Sequence, residues 1–94
     1  MRKLFWDKSF VRAFKRRTHS NLSLQQRIFQ VLEVLAENPF DPRLKTHKLT
    51  GQLGGLWACW VEYDCRIVCA FEEDTHFQSD AIVLIDIGTH DEVY

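Results

Sequence analysis

Gly88-Thr89-His90 follows directly on an apolar run, Ala81 to Ile87, and Tyr94 stands shortly after. A glycine that ends a strand, a histidine two residues on and a terminal aromatic put an acid/base group and a stacking ring at a sheet edge, with no later sequence to cover them. A second imidazole, His47, lies in Arg43-Leu44-Lys45-Thr46-His47-Lys48-Leu49-Thr50-Gly51. Its neighbours Lys45 and Lys48 are cations that would draw a phosphate toward it. Arg66 is the one Lys or Arg after position 48, set in an otherwise apolar and acidic stretch. A guanidinium there either pairs internally with Asp64, Glu72 or Asp86, or presents its planar fork to a phosphate. Trp60 is a candidate ring for stacking on an unpaired base, burial being the alternative. Together these side chains describe proton transfer beside a bound phosphate. His19 and His76 lie in turns without basic or aromatic company and read as surface residues, and the four histidines show no metal-ligand spacing.

Bulk composition narrows what can surround such a site. Ninety-four residues make one domain, and with 46% hydrophobic and 27% charged residues the chain has the composition of a folded globular protein. No apolar run approaches the roughly 20 residues that span a bilayer, and the start lacks the apolar stretch of a signal peptide, so a cytoplasmic location is expected. Cys59, Cys65 and Cys69 are an odd count without a CxxC pair, which predicts small buried thiols in a reducing compartment rather than disulfides or a zinc site. The net charge of -1 hides an asymmetry: residues 1–55 hold eleven Lys/Arg against four Asp/Glu, residues 56–94 one against nine. A basic face could attract a polyanion despite the near-neutral total, or be no more than two solvated basic helices.

The elements that must position these residues can be read from periodicity. Lys3 to Trp6 fits a first strand. Asp7 or Ser9 can cap a helix to about Thr18, with Phe10 and Phe14 on one face and Lys8, Arg12, Lys15 and Arg16 on another. Ser23-x-x-Gln26 has the form of a capping box for a second helix, whose stripe Leu24, Ile28, Val31, Leu32 and Leu35 runs to the stop at Asn38-Pro39. Residues 40–55 lose periodicity between Pro and Gly breakers and form an ordered loop candidate anchored by two leucines. Leu56 to Glu62, Cys65 to Glu72 and Ala81 to Ile87 read as strands of an antiparallel meander, the first two joined at Tyr63-Asp64. On the middle strand Cys65, Ile67, Cys69 and Phe71 face the core, while Asp64, Arg66, Val68 and Ala70 face the other side. Trp57 and Trp60 differ in parity, so one packs inward and the other outward. The expected fold is α+β: an N-terminal strand and a two-helix hairpin packed on a mainly antiparallel four-stranded sheet, one face of which stays partly open.

In this order, the motifs His47-Lys48-Leu49-Thr50-Gly51, Val61-Glu62-Tyr63-Asp64 leading into Arg66-Ile67-Val68, and Gly88-Thr89-His90 with Tyr94 resemble the RelE/ParE toxin superfamily, closest to its YafQ-like branch. The resemblance covers almost the whole chain. It implies a RelE-like fold and a metal-free, cofactor-free endoribonuclease that cuts messenger RNA on the ribosome and is silenced by a cognate antitoxin. It places the active site on His47, Asp64, His90 and Tyr94. The branch also has a histidine before the turn, where this chain carries Trp60, so acid/base duty would fall to fewer groups. DNA binding would come only through the antitoxin complex.

Attack of a ribose 2'-OH on the adjacent phosphate needs a base, an acid for the leaving 5'-oxygen and a cation for the developing charge. His90 and Asp64 are the candidates for the proton-transfer ends, and His47 for phosphate contact or a share in proton transfer. Arg66 would stabilise charge, Tyr94 would stack, and Lys45, Lys48 and Trp60 would help hold the substrate. Two rivals are a ParE-like gyrase poison, in which the histidines are dispensable, and a non-catalytic module whose basic helices only bind an acidic antitoxin segment.

Overall fold

The computed structural model describes residues 2–74 and 79–93; His76 and Tyr94 lie outside them. Strand β1 (Lys3–Trp6) leads into α1 (Lys8–Thr18) and α2 (Leu22–Glu37). A 3-10 turn at Pro42–Leu44, a two-residue strand β2 (His47–Lys48) and a second 3-10 turn at Gly51–Leu53 follow. β3 (Trp57–Glu62), β4 (Cys65–Asp74), β5 (Ser79–Gly88) and a one-turn helix α3 (His90–Val93) complete the order.

Local chemistry explains the helix boundaries. The Asp7 carboxylate accepts the Ser9 backbone N–H at 3.0 Å and the Ser9 hydroxyl at 2.6 Å, capping α1, and Lys15, Arg16 and Arg17 occupy its last turn, where cations oppose the helix dipole. The hydrogen bonds from Ser9 hold the Asp7 carboxyl below its ordinary range. Ser20, at φ 59°, reverses the chain, and the next residue, Asn21, caps α2 by accepting the Leu24 N–H at 3.1 Å. The cap is therefore Asn21 and not Ser23, which falls inside the first helical turn.

The sheet runs β1-β5-β4-β3-β2. β5-β4-β3 is the expected antiparallel meander, whereas β1 lies parallel to β5 with Lys3 beside Ala81. β2 adds a fifth strand, pairing His47 with Ala58 and Lys48 with Trp57. Two residues are too few for a periodic signal, so this strand was part of the expected loop.

Both helices cover one face. Phe10 and Ala13 of α1 and Leu24, Ile28, Val31, Leu32 and Leu35 of α2 bury against Cys59, Val61, Cys65, Ile67, Cys69, Ile82, Leu84 and Ile87. That layer is the α+β core expected from the two helical stripes. All three cysteines are free and buried; burial pushes the Cys65 thiol up to about 11, and a hydrogen bond within the pair lowers Cys59 while raising Cys69. Trp57 joins Phe40 and Phe71 in an aromatic group at the end of this layer, with ring centroids 5.2 to 5.6 Å apart.

The opposite face carries a smaller cluster of Leu49, Ala58, Val68 and Val93, with Leu53, Leu56 and Ile85 packed around it. The loop after β2 and the turn after β5 thus cover part of the face expected to be open. A register shift opposite Val68/Cys69 lets Ile87 return to the core side and brings Gly88 opposite Arg66. The Ser9 hydroxyl lies against the Ile85 carbonyl at that irregularity, sharing its single proton between this oxygen and the Asp7 carboxylate. Among the described residues no helix is long and apolar enough to cross a membrane.

Candidate active site

Strand register brings the candidate residues to the face opposite the helices. Trp60, Arg66 and Gly88 form one row across β3, β4 and β5, and His47, Ala58 and Val68 form the next. Directly opposed residues in antiparallel pairs project from the same side. His90 starts α3 two residues beyond Gly88.

The loop holding His47 is pinned at several points. Asp41 caps the Pro42–Leu44 turn, accepting the Arg43 N–H at 2.9 Å and pairing with the Arg43 guanidinium at 2.9 and 3.0 Å. Those hydrogen bonds draw the Asp41 carboxyl down to about 2. Leu44 and Leu49 are buried, and they are the two leucines expected to anchor the segment. Thr46 donates its hydroxyl to the Pro39 carbonyl. Lys45 adopts a left-handed conformation, φ 49° and ψ 39°, and its carbonyl lies 2.8 Å from His47 Nδ1. A carbonyl only accepts, so Nδ1 is the donor in this contact. Gly51 at φ 69° and Gly55 at φ 90° supply the backbone conformations that return the chain to β3.

His90 is placed by the opposite end of the meander. Its backbone N–H reaches Asp64 Oδ1 at 3.4 Å, and Val93, buried to 7% exposure, fastens α3 to the sheet. The histidine therefore follows an interior strand and opens a packed turn; it does not lie at an uncovered sheet edge, because β1 occupies the far side of β5. Arg66 Nη1 donates to the carbonyls of Glu62, Tyr63 and Cys65, the last two at 3.0 and 3.1 Å, so it braces the hairpin turn. Among the described residues it makes no ion pair with Asp64, Glu72 or Asp86; Asp86 accepts the Ile87 N–H at 2.8 Å instead.

Lys45, His47, Trp60, Arg66 and His90, with Tyr63, line one cleft of about 490 Å³. Asp64 lines an adjoining depression of about 470 Å³ that shares Tyr63, Arg66 and His90. Lys48 is not among the lining residues: its ammonium lies 5.5 Å from the Trp57 ring centroid. Trp60 is half-buried, with Lys45 Nζ at 5.1 Å and the Arg27 guanidinium at 5.7 Å from its ring centroid. Tyr63 was missed from sequence, although a ring at the tip of a two-residue turn can be covered by neither strand; it is 88% exposed. Arg27 was also missed, since nothing in the α2 pattern marks one polar residue among several. No group of three or more His, Cys, Asp or Glu among the described residues could hold a metal ion. The arrangement can bind an anion between cations and offer two imidazoles and a carboxylate for proton transfer.

The same fold occurs in solved toxin structures. The YoeB/ParE toxin from Agrobacterium tumefaciens superposes with a TM-score of 0.76 at 18% identity, over 94% of this chain and 98% of that one. YafQ from E. coli strain BL21(DE3) gives 0.71 at 15% identity over 100% and 99%, and the YoeB-YefM complex from Staphylococcus aureus gives 0.72 at 15% over 96% and 98%. No curated protein sequence matches the chain. At such identities the structures establish the fold, while membership comes from the sequence itself: the family described as "Bacterial toxin of type II toxin-antitoxin system, YafQ" matches residues 2–94. Its His-Lys-Leu-Thr-Gly loop and Gly-Thr-His end meet across one sheet face in a fold shared with YoeB and YafQ toxins, and the chain belongs to the YafQ family of type II toxin-antitoxin toxins.

Proposed function

We propose that this toxin is an endoribonuclease that cuts messenger RNA, at the ribosome, by attack of a ribose 2'-oxygen on the adjacent phosphate. The observation that carries the reading is the cleft itself, where His47 and His90 meet Arg66 and Lys45. The 2'-OH gives its proton to a base as O2' bonds to phosphorus, and the P–O5' bond breaks with a proton delivered to O5'. The products are a 2',3'-cyclic phosphate and a 5'-hydroxyl, so neither oxidant nor reductant enters. His90 and Asp64 serve the two proton-transfer ends, and His47 contacts the phosphate or shares in proton transfer. Arg66 neutralises the charge that grows on phosphorus oxygens, supported by Lys45. Lys48 draws the strand from outside the cleft, while Trp60, Tyr63 and Tyr94 offer rings to its bases. The reaction as drawn needs no metal and no cofactor.

The proposed partners are the message, the ribosome and an antitoxin, with action in the cytoplasm and the whole chain working as one domain. An antitoxin accords with the basic balance of residues 1–55 and with the YoeB-YefM pairing in a protein of the same fold. The test incubates the chain with a defined transcript and ribosomes in EDTA. Cleavage is expected, reduced roughly 100-fold or more by His90→Ala with the fold intact. Undiminished cutting by that variant would sink the assignment, and inhibition of gyrase without RNA cleavage would replace it with a ParE-like activity.

A further inference from the structure

A second groove, of about 260 Å³, opens between α2 and the Pro42–Leu44 turn. Arg27, Gln30 and Glu33 line one wall, Arg43 and Leu44 the other, and Trp60 lines both this groove and the His47–His90 cleft. The two depressions adjoin at one ring. β2 covers β3 only at Trp57 and Ala58, so farther along β3 that sheet edge is free of it. Arg27 takes up a position there, donating Nε–H to the Val61 carbonyl at 3.0 Å. With Nε engaged, its two terminal amino groups make no hydrogen bond among the described residues and lie beside the Trp60 ring. Across the groove, Arg43 is held by Asp41 yet its side chain stays 74% exposed. Among the described residues, Glu33 is the one acidic side chain lining it.

A nucleic-acid strand crossing the cleft must continue past the scissile phosphate. On the Trp60 side the next surface offers a guanidinium with free donors, a second guanidinium and an aromatic wall. A planar fork suits a phosphate diester, and a ring flanked by cations suits the adjoining sugar and base. Continuity with the cleft at Trp60 favours a strand over a separate acidic protein segment. We infer that the groove between α2 and the Pro42–Leu44 turn is a second RNA subsite, in which Arg27 holds the backbone phosphate neighbouring the scissile one. This rests on the ribonuclease reading of the cleft and adds the strand's path to it.

The test uses fluorescence anisotropy with a single-stranded 2'-O-methyl oligoribonucleotide, which cannot be cut, and a 2'-O-methyl dinucleotide, each over a salt series. Arg27→Ala should lose most of the longer probe's affinity advantage over the dinucleotide and lower the slope of log Kd against log salt by about 0.7, the value for one phosphate contact on a single strand. Arg27→Lys should keep that slope. Gln30→Glu places a negative charge in the groove, one helical turn from Arg27, and should cut the same advantage several-fold. If both Arg27→Ala and Gln30→Glu retain the full advantage and slope, the subsite is overturned while the cleft stands. Weakened antitoxin binding with RNA binding unchanged would likewise overturn it, assigning the groove to a protein. If the unaltered chain binds neither probe and cuts no transcript, the ribonuclease reading falls and takes the groove with it.

Discussion

Leu49 and Val93 bury into the same small cluster on Ala58 and Val68, so the loop carrying His47 and the turn carrying His90 share one anchor on the sheet. The two imidazoles reach a common cleft because apolar side chains just beyond each of them are fastened into one cluster.

Leu49→Ala should therefore cost about 2 kcal/mol or more in stability, as emptied buried leucine sites do. Val93→Ala should act on the same anchor, and the double variant should depart from additivity by about 0.5 kcal/mol or more. Urea unfolding of the four proteins measures this. Each single variant is also expected to slow RNA cleavage, since loosening the anchor lets one histidine drift from the other.

His47 separates position from chemistry. Its Nδ1–H is committed to the Lys45 carbonyl, and Asn can supply an amide donor near that point while offering nothing at Nε2. His47→Asn should melt at nearly the unaltered temperature yet cut RNA roughly 100-fold more slowly. Nitrogen NMR of the neutral ring should show the proton on Nδ1; a proton on Nε2 would refute the assignment.

Asp41 gives the loop a defined acid response. Its carboxyl falls to about 2 in the folded chain from an ordinary 3.8. A depressed carboxyl contributes stability that is present in full above the unfolded value and is lost as pH falls through the folded one. The melting-temperature gap between the unaltered chain and Asp41→Asn should hold steady from pH 7 to about 4 and close between about 4 and 2. A gap unchanged at pH 2 would show that the Asp41–Arg43 pair does not form in solution.

The three thiols should be silent in the native state. Cys59, Cys65 and Cys69 are buried, and burial raises the Cys65 thiol to about 11, far from the thiolate that reacts. An aromatic disulfide reagent at pH 7.5 should release almost no thiol from the folded protein and three equivalents in urea. Rapid reaction without urea would mean that β3 and β4 separate locally.

Much of this architecture was legible because its signals repeat along the chain. The helix stripes and the alternation on β4 each involve several residues under one period, and Leu24, Ile28, Val31, Leu32 and Leu35 are all buried as that period requires. What escaped depends on partners distant in sequence. β2 is two residues long and exists only because β3 offers it an edge. Asn21 displaced Ser23 as a cap because Ser20 turns the chain one step earlier. The cluster under Leu49 and Val93 has no local pattern, which is why the second face was expected to be more open. Of the site, His47, His90, Arg66, Trp60 and Lys45 share the cleft, Asp64 adjoins it and Lys48 does not line it. Lys45 and Lys48 look alike in sequence; a left-handed turn at Lys45 and the strand pleat at His47–Lys48 separate them.

The parallel pairing of β1 with β5 has a consequence for how the chain comes together. Lys3 to Trp6 have their strand partners at Ala81 to Leu84, and α1 rests chiefly on β5, so the first strand and helix have no sheet to dock on until the last strand has been made. Closing so long a segment costs entropy before any contact offsets it, which slows folding relative to proteins built from local contacts. Until then Trp6, Phe10 and Phe14 have only one another and Phe29 of α2 for cover. The cleft needs β5 as well, because His90 follows it directly. A nascent chain halted before β5 has neither a closed core nor a cleft, and the two arrive in one late, cooperative step.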